Sequence, residues 1–384
     1  MLDCDIVKNK CKTRKLKKIK KMKKNNNKTM KRMKKIFSNG KLGSLKSKSY
    51  SPTINRGDIT IKDATNVFVK CKKYELSIPK NGKRKCYPWN SEESKNVLLN
   101  NLMVKKIDPN KLIIPKQDRG NCWFNTLFMC FFISDKGRKF TRYIRKTMIT
   151  GELPNSNNKI DNDFHKNLWI FNKFIEISLR GRYFMSRWHG SVKTNIIIKD
   201  LYEYMKSKKM RVSKVGEGGH PINYFSTIIN SLFYLNENPV NFLKITSHSK
   251  EKYQKVIGDY TKNKKLHYFS LSIHRKNQFK KEKTIKVYSE MEKKVIKYEL
   301  DSAVMVDNEN DEHAMCFFTI NKKGHGFDAE CINSIYTVDW KKHINLDKNF
   351  NSGNGKCWVS GFSKSARFNF MDSMQMLNYY RVTK

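Results

Sequence analysis

Long apolar runs are missing from this sequence. The run at residues 128–133 is far short of the roughly 18 residues that span a bilayer, and the charged N-terminus has no apolar signal core. The nine cysteines are odd in number, irregularly spaced and without a CxxC pair. That argues against both a secreted disulfide framework and a structural zinc site. These absences predict an intracellular protein with reduced thiols, no transmembrane segment, no metal and no cofactor. Acidic residues are scarce as well, 34 Asp and Glu against 79 Lys and Arg, for a formal net charge of +45. Residues 1–50 hold 19 Lys and Arg against Asp3 and Asp5, a net of +17, which leaves +28 on the remaining 334. Both parts should attract polyanions, with nucleic acid the default partner. Heavy use of Lys, Asn and Ile fits an A/T-rich coding genome, which accounts for Lys in place of Arg but not for the missing acids.

What is present supports a folded body, since 38% of residues are hydrophobic and 12% aromatic. Residues 1–50 carry two basic runs split by Asn25-Asn26-Asn27. Thin apolar stripes run through them (Leu16, Ile19, Met22; Met30, Met33, Ile36), compatible with a nucleic-acid, nuclear-import or anionic-membrane segment. A solvated, disordered tail is the favoured reading. Residues 51–100 read as a linker with short strands at 59–61, 67–69 and 74–78, then a helix over 91–102 capped by Ser91. Helical periodicity follows at 123–148, 164–179, 196–206 and 222–235. Strand patterns follow at 267–273, 284–287, 295–300, 303–306, 313–320 and 325–329. The chain is thus expected to be α+β, an N-terminal helical half packed against a C-terminal antiparallel sheet with a cleft between them. Residues 101–345 form the expected central domain, and 346–384 an extension packed on the body.

The chemistry centres on Gln117-Asp118-Arg119-Gly120-Asn121-Cys122-Trp123-Phe124. Polar loop residues turn at Gly120-Asn121, and a cysteine then opens a buried helix. Thiols at helix N-termini favour the thiolate, the form that attacks carbonyl carbon. Gln117 and Asp118 stand where an oxyanion-hole donor would sit. The plainer reading makes Cys122 a small buried hydrophobe. Of nine histidines, His313 differs from the rest: it follows an acidic turn and heads the apolar run Ala314-Met315-Cys316-Phe317-Phe318. A rim histidine so held can act as general base, or can be a rim histidine without chemistry. Cys130, Cys316 and Cys331 read as packing residues.

Gly120-Asn121-Cys122-Trp123-Phe124-Asn125-Thr126-Leu127 resembles the cysteine box of the ubiquitin-specific proteases, within the papain-like cysteine peptidases, with one residue missing before the cysteine. Tyr298-Glu299-Leu300-Asp301-Ser302-Ala303-Val304, then His313, then Gly326-Phe327-Asp328, resembles their histidine box; 218–232 is weakly similar to their intermediate helix. The resemblance implies a papain-like fold with Cys122 as nucleophile, His313 as base and Asp328 orienting the imidazole. Gln117 or Asp118 would serve the oxyanion, Gln117 being the better donor because it needs no protonation. Glu312-His313-Ala314 stands where the family has Gly-His-Tyr, and the zinc-binding cysteine pairs of the fingers region are absent. A tight turn at Lys322-Lys323 would set Asp328 opposite Phe317, too far from His313 at about 3.4 Å per residue. The Asp328 assignment therefore requires an earlier turn, near Ile320-Asn321, or a bulge; Glu330 is the fallback acid. The implied substrate is a ubiquitin-like modifier or a precursor protein, cleaved after a small, Gly-like tail. The basic composition suits an enzyme stored on nucleic acid, such as a virion or viral-factory protein of a large DNA virus. The alternative is an inactive peptidase fold that binds nucleic acid or serves in a capsid.

Overall fold

The computed structural model describes residues 71–80, 83–102, 106–117, 120–153, 158–180, 192–210, 212–232, 241–274, 279–307, 313–329, 335–351 and 367–382. The basic runs of 1–50 and the strands expected at 59–61 and 67–69 lie outside them, as do Asp118, Glu330 and Cys331. The chain divides into two units, Met1–Thr53 and Ile54–Lys384, and every described residue belongs to the second.

A hairpin comes first, β1 (Glu75–Lys80) antiparallel to β2 (Lys83–Pro88), followed by α1 (Glu92–Leu102). Ser91 Oγ accepts from the Ser94 amide at 3.2 Å, the expected cap. Then come α2 (Cys122–Phe128), a π-helical turn over Met129–Ile133, α3 (Asp135–Phe140), α4 (Arg142–Thr150), α5 (Asn162–Arg180), α6 (Thr194–Ser207) and α7 (Pro221–Leu232). The strand expected at 74–78 is β1 of this hairpin, whose Leu76 and Tyr87 pack beside Leu98 of α1 and Trp169 of α5. Cys71 and Cys86 form a disulfide, contrary to the expectation of reduced thiols. Sequence spacing hid the pair because the hairpin, and nothing local, brings their Cα atoms within 5.5 Å.

The second half is β3 (Phe242–Thr246), α8 (Lys250–Asn263), β4 (Tyr268–Ile273), β5 (Thr284–Ser289), β6 (Lys294–Val306), β7 (Ala314–Ile320), β8 (Lys323–Phe327), β9 (Ile335–Thr337), β10 (Asn349–Asn351), β11 (Arg367–Asn369) and β12 (Gln375–Val382). The eight-stranded sheet runs β3-β4-β12-β6-β7-β8-β9, with β5 on β6. Helices first and sheet second is what the patterning predicted. Three details differ. The sheet is mixed, because β3 and β4 pair in parallel with α8 between them in sequence. The two strands expected at 295–300 and 303–306 are one. Asp301 and Ser302 do not break it because their polar atoms are used: Asp301 Oδ2 accepts from the Lys136 and Gly137 amides, and Ser302 Oγ accepts from Asn378 Nδ2. Last, the expected extension beyond residue 345 is not an add-on. β12 lies between β4 and β6, so the sheet is incomplete without it.

Alternation assigns each strand residue to one of two cores. Ala314, Cys316, Phe318 and Ile320 of β7 join the helical side with Phe124, Phe128, Phe131 and Phe225. Met315 and Phe317 face the other side with Tyr253, Trp340 and Phe370. A strand covered on both faces reads as a near-continuous apolar run, as β7 does from Ala314 to Phe318.

On β8, His325 is 3% exposed, and neither ring nitrogen has a hydrogen-bond partner among the described residues. Burial holds its pKa below the ordinary 6.5. The unfolded chain therefore takes up a proton that the folded chain refuses. Stability is present above about pH 6.5 and is lost as pH falls from there toward the depressed folded value, by at most about 1.4 kcal/mol per pH unit for one site. Urea unfolding at pH 7.5 and 5 should give a shallower loss for His325→Phe than for the parent. Equal slopes would contradict the account.

Candidate active site

Cys122 is the first residue of α2 and is buried. Gly120 enters the helix with φ +67, the left-handed region glycine tolerates. The helix start is fixed by three buried side chains in a ring. Asn121 Nδ2 donates to Thr194 Oγ1 at 2.8 Å, Thr194 Oγ1 donates to Asn125 Oδ1 at 2.5 Å, and Asn125 Nδ2 donates to Asn121 Oδ1 at 3.4 Å. Each group both gives and accepts, and the ring ties α2 to the first residue of α6. Trp123 is gripped by the loop before α7. Its Nε1 donates to the Glu217 carbonyl at 3.0 Å, and a Cβ on Gly219 would fall 2.5 Å from the indole. A side chain at 219 would therefore displace Trp123, the neighbour of Cys122.

His313 stands at the entrance to β7, where its carbonyl accepts from the Asp307 amide at 2.8 Å. Its Nε2 lies 2.8 Å from Asp328 Oδ1, with both side chains buried. The turn decides this contact. Ile320 pairs with Lys323 across Asn321 and Lys322, whose φ values of 49° and 67° suit a two-residue hairpin turn. That turn is one residue earlier than a tight turn at Lys322-Lys323. It sets Cys316 opposite Phe327, and continuing the register puts Asp328 on the diagonal to His313, within side-chain reach. The turn therefore falls one residue later than the Ile320-Asn321 turn the sequence reading asked for, and β7 and β8 pair without a bulge.

The cysteine loop is stitched to the same end of the sheet. The Gln117 amide donates to the carbonyl of Ala329, next to Asp328, at 2.8 Å. Cys122, Ala314, Phe327 and Ala329 share one apolar cluster. Of the expected site residues, His313 and Asp328 are hydrogen-bonded, and Gln117 and Cys122 belong to the loop and helix fastened beside them. Cys130 and Cys316 are fully buried in the helical-side core, and burial pushes the Cys316 thiol well up, as packing residues should behave.

Several contributors carried no usable signal in the sequence. Tyr336 of β9 packs so tightly on β8 that a Cβ at Gly326 would meet its ring at 2.3 Å. Burial chiefly, then Asp328 and Cys316, holds its phenol un-ionised. Phe368 places its ring 5.9 Å from the His313 imidazole, edge to face. Thr194 is 73 and 69 residues from the two asparagines it contacts. Only the local pattern Asn121-x-x-x-Asn125, one helical turn, could have pointed to the ring. His220, just after the Gly216–Gly219 loop, is held down to about 4 by burial and by Lys244, and so is neutral at pH 7.

An imidazole with one nitrogen held by a buried carboxylate is fixed in orientation and tautomer. Its other nitrogen is then set to accept a proton. No helix among the described residues is long and apolar enough to cross a membrane.

No protein-family model and no curated protein matches the chain. Among solved structures it is similar to the Ubp8–Sgf11–Sgf73–Sus1 SAGA DUB module, at 11% identity over 71% of this chain and 68% of that one, with a TM-score of 0.41. A version of that module with a substituted Ubp8 and a shortened Sgf11 is similar at 10% identity over 79% of each chain, with a TM-score of 0.39. Overlap this loose leaves the reading of the site to the chain's own geometry.

Proposed function

We propose that this chain is a thiol-dependent peptidase or isopeptidase of papain-like architecture. The observation that carries the reading is the buried Nε2–Oδ1 contact of 2.8 Å between His313 and Asp328. Structural histidines rarely need a fully buried carboxylate; a base that must become imidazolium does. In this reading Cys122 Sγ gives its proton to His313 Nδ1 and attacks the substrate carbonyl carbon. The Gln117 side-chain amide meets the oxyanion. His313 then passes the proton to the leaving nitrogen as the C–N bond breaks, leaving a thioester on Cys122. Water, deprotonated by His313, attacks the thioester; the C–S bond breaks and the thiol is restored.

The substrate class, a ubiquitin-like modifier or a precursor cut after a Gly-like tail, rests on the resemblance of the two sequence boxes. Within the same proposal the chain works inside a cell and its basic residues 1–50 engage nucleic acid, which the +17 of that segment supports.

The test is covalent. A ubiquitin ending in a vinyl electrophile, read by intact mass and peptide mapping, should modify Cys122 once per chain. Cys122→Ala should give no adduct, and His313→Ala should react about 10²–10⁴-fold more slowly. An adduct that forms equally well on Cys122→Ala would remove the nucleophile, and an undiminished rate in His313→Ala would remove the base.

A further inference from the structure

Outside the site just described, one cluster of metal-ligating side chains stands out among the described residues. Cys71, Glu75 and Cys86 place two sulfurs and a carboxylate oxygen all within 4.8 Å of one another, each residue partly buried. We propose that when the Cys71–Cys86 bond is reduced, these three side chains hold a zinc ion at the base of the β1–β2 hairpin.

The scaffold is fixed from several sides. The Lys72 amide donates to Glu75 Oε2 at 2.8 Å, and the Glu75 amide donates back to the Lys72 carbonyl at 3.1 Å, which sets the carboxylate beside Cys71. Lys173 of α5 reaches across and donates to the carbonyls of Lys73 and Glu75, at 3.1 and 2.6 Å. Cys86 is held in β2 opposite Ser77. The ligands therefore stay close whether or not the sulfurs are bonded to each other.

The donor set suits zinc. Thiolates are soft ligands and select zinc over magnesium or calcium. Tetrahedral zinc with Zn–S distances near 2.3 Å sets its two sulfurs about 3.8 Å apart, inside the envelope these residues define. Two thiolates and a carboxylate around a dication carry a net charge of −1. Lys72 and Lys85 adjoin Cys71 and Cys86 in sequence, and both are exposed cations that offset it. Water takes the fourth position.

The chemistry balances. A two-electron reductant, a dithiol in a cell, converts the disulfide to two thiols and is itself oxidised to a disulfide. Zinc then displaces the two thiol protons to solvent, and Glu75 enters as the carboxylate. The hairpin is thus closed by a covalent bond under oxidising conditions and by a metal under reducing ones. The absence of CxxC spacing concealed this in the sequence, because the ligands converge only through the hairpin and the turn before it. Zinc at the hairpin calls on neither Cys122 nor His313.

The full chain should be reduced with a phosphine, exposed to zinc, freed of excess by gel filtration and assayed for bound metal. One zinc per chain is expected after reduction and none without it. Cys122→Ala should keep that zinc, which separates the hairpin from capture by the Cys122–His313 pair. Cys71→Ser/Cys86→Ser should lose it. Glu75→Gln, which keeps both cysteines, should bind at least tenfold more weakly. No zinc in the reduced parent chain, zinc retained by the double serine variant, or undiminished affinity in Glu75→Gln would each overturn the proposal.

Discussion

Asp328→Asn is expected to lower kcat/KM on a ubiquitin-tail amide about 10²–10⁴-fold while leaving the fold intact. Asp328 is fully buried and its Oδ1 lies 2.8 Å from His313 Nε2. A carboxylate there does two things. In the proposed mechanism it accepts the Nε2 proton, so that Nδ1 is the nitrogen without one, and it stabilises the positive ring after the thiol proton arrives. Asparagine preserves the volume but supplies neither reliably. If its amide nitrogen faces Nε2, the ring must carry its proton on Nδ1 and cannot take another from Cys122. If its oxygen faces Nε2, the tautomer survives but the charge stabilisation does not. Kinetics against pH should therefore lose amplitude in Asp328→Asn, with an unchanged melting profile. Activity within threefold of the parent chain would mean that the buried pair is structural, and the proposed mechanism would lose its main support.

The second large effect is on stability. Glu176→Ala is expected to cost about 3–5 kcal/mol, because it strands a buried cation. Arg145 of α4 and Glu176 of α5 are ion-paired with both side chains 2% exposed. Arg145 Nε also donates to Asn172 Oδ1 at 2.8 Å, and Asn101 Nδ2 donates to Glu176 Oε2 at 2.7 Å, so the network joins α1, α4 and α5. Removing the carboxylate leaves a buried guanidinium with only part of its hydrogen-bonding shell. Replacing both partners, Arg145→Met with Glu176→Leu, should recover most of the loss, since an apolar pair carries no desolvation cost. Urea midpoints of the two singles and the double close the cycle. A loss under 1 kcal/mol for Glu176→Ala would show the pair to be solvated in practice.

Much of the site was readable from residues close together in sequence. Gly120-Asn121-Cys122 followed by a nearly continuous apolar run announced a cysteine opening a buried helix, and α2 begins at Cys122. The run after His313 announced a strand buried on both faces, and β7 is buried along its whole length. Ser91 announced its helix. These are contests between neighbours along the chain: which residue caps, which tolerates a left-handed φ, which face repeats every two or every 3.6 positions. Such contests are decided locally, so the order of residues alone determined them.

Partnership was not decided there. Gln375–Val382 is half polar and says nothing about lying between β4 and β6, whose residues precede it by about 70 to 110 positions. A strand's partner depends on which edges every other strand leaves open, a property of the whole sheet. The reach of Asp328 to His313 turned on one residue of hairpin register, and the two cysteines of the hairpin, the Thr194 contact and the cover of Tyr336 and Phe368 turned on packing across many tens of residues. Sequence determined the parts, helices, strands and the cysteine and histidine stations, because short-range sterics and periodic burial suffice for those. Tertiary structure alone decided which parts meet, because closing a long loop is favourable only once the rest of the core exists to hold its ends together.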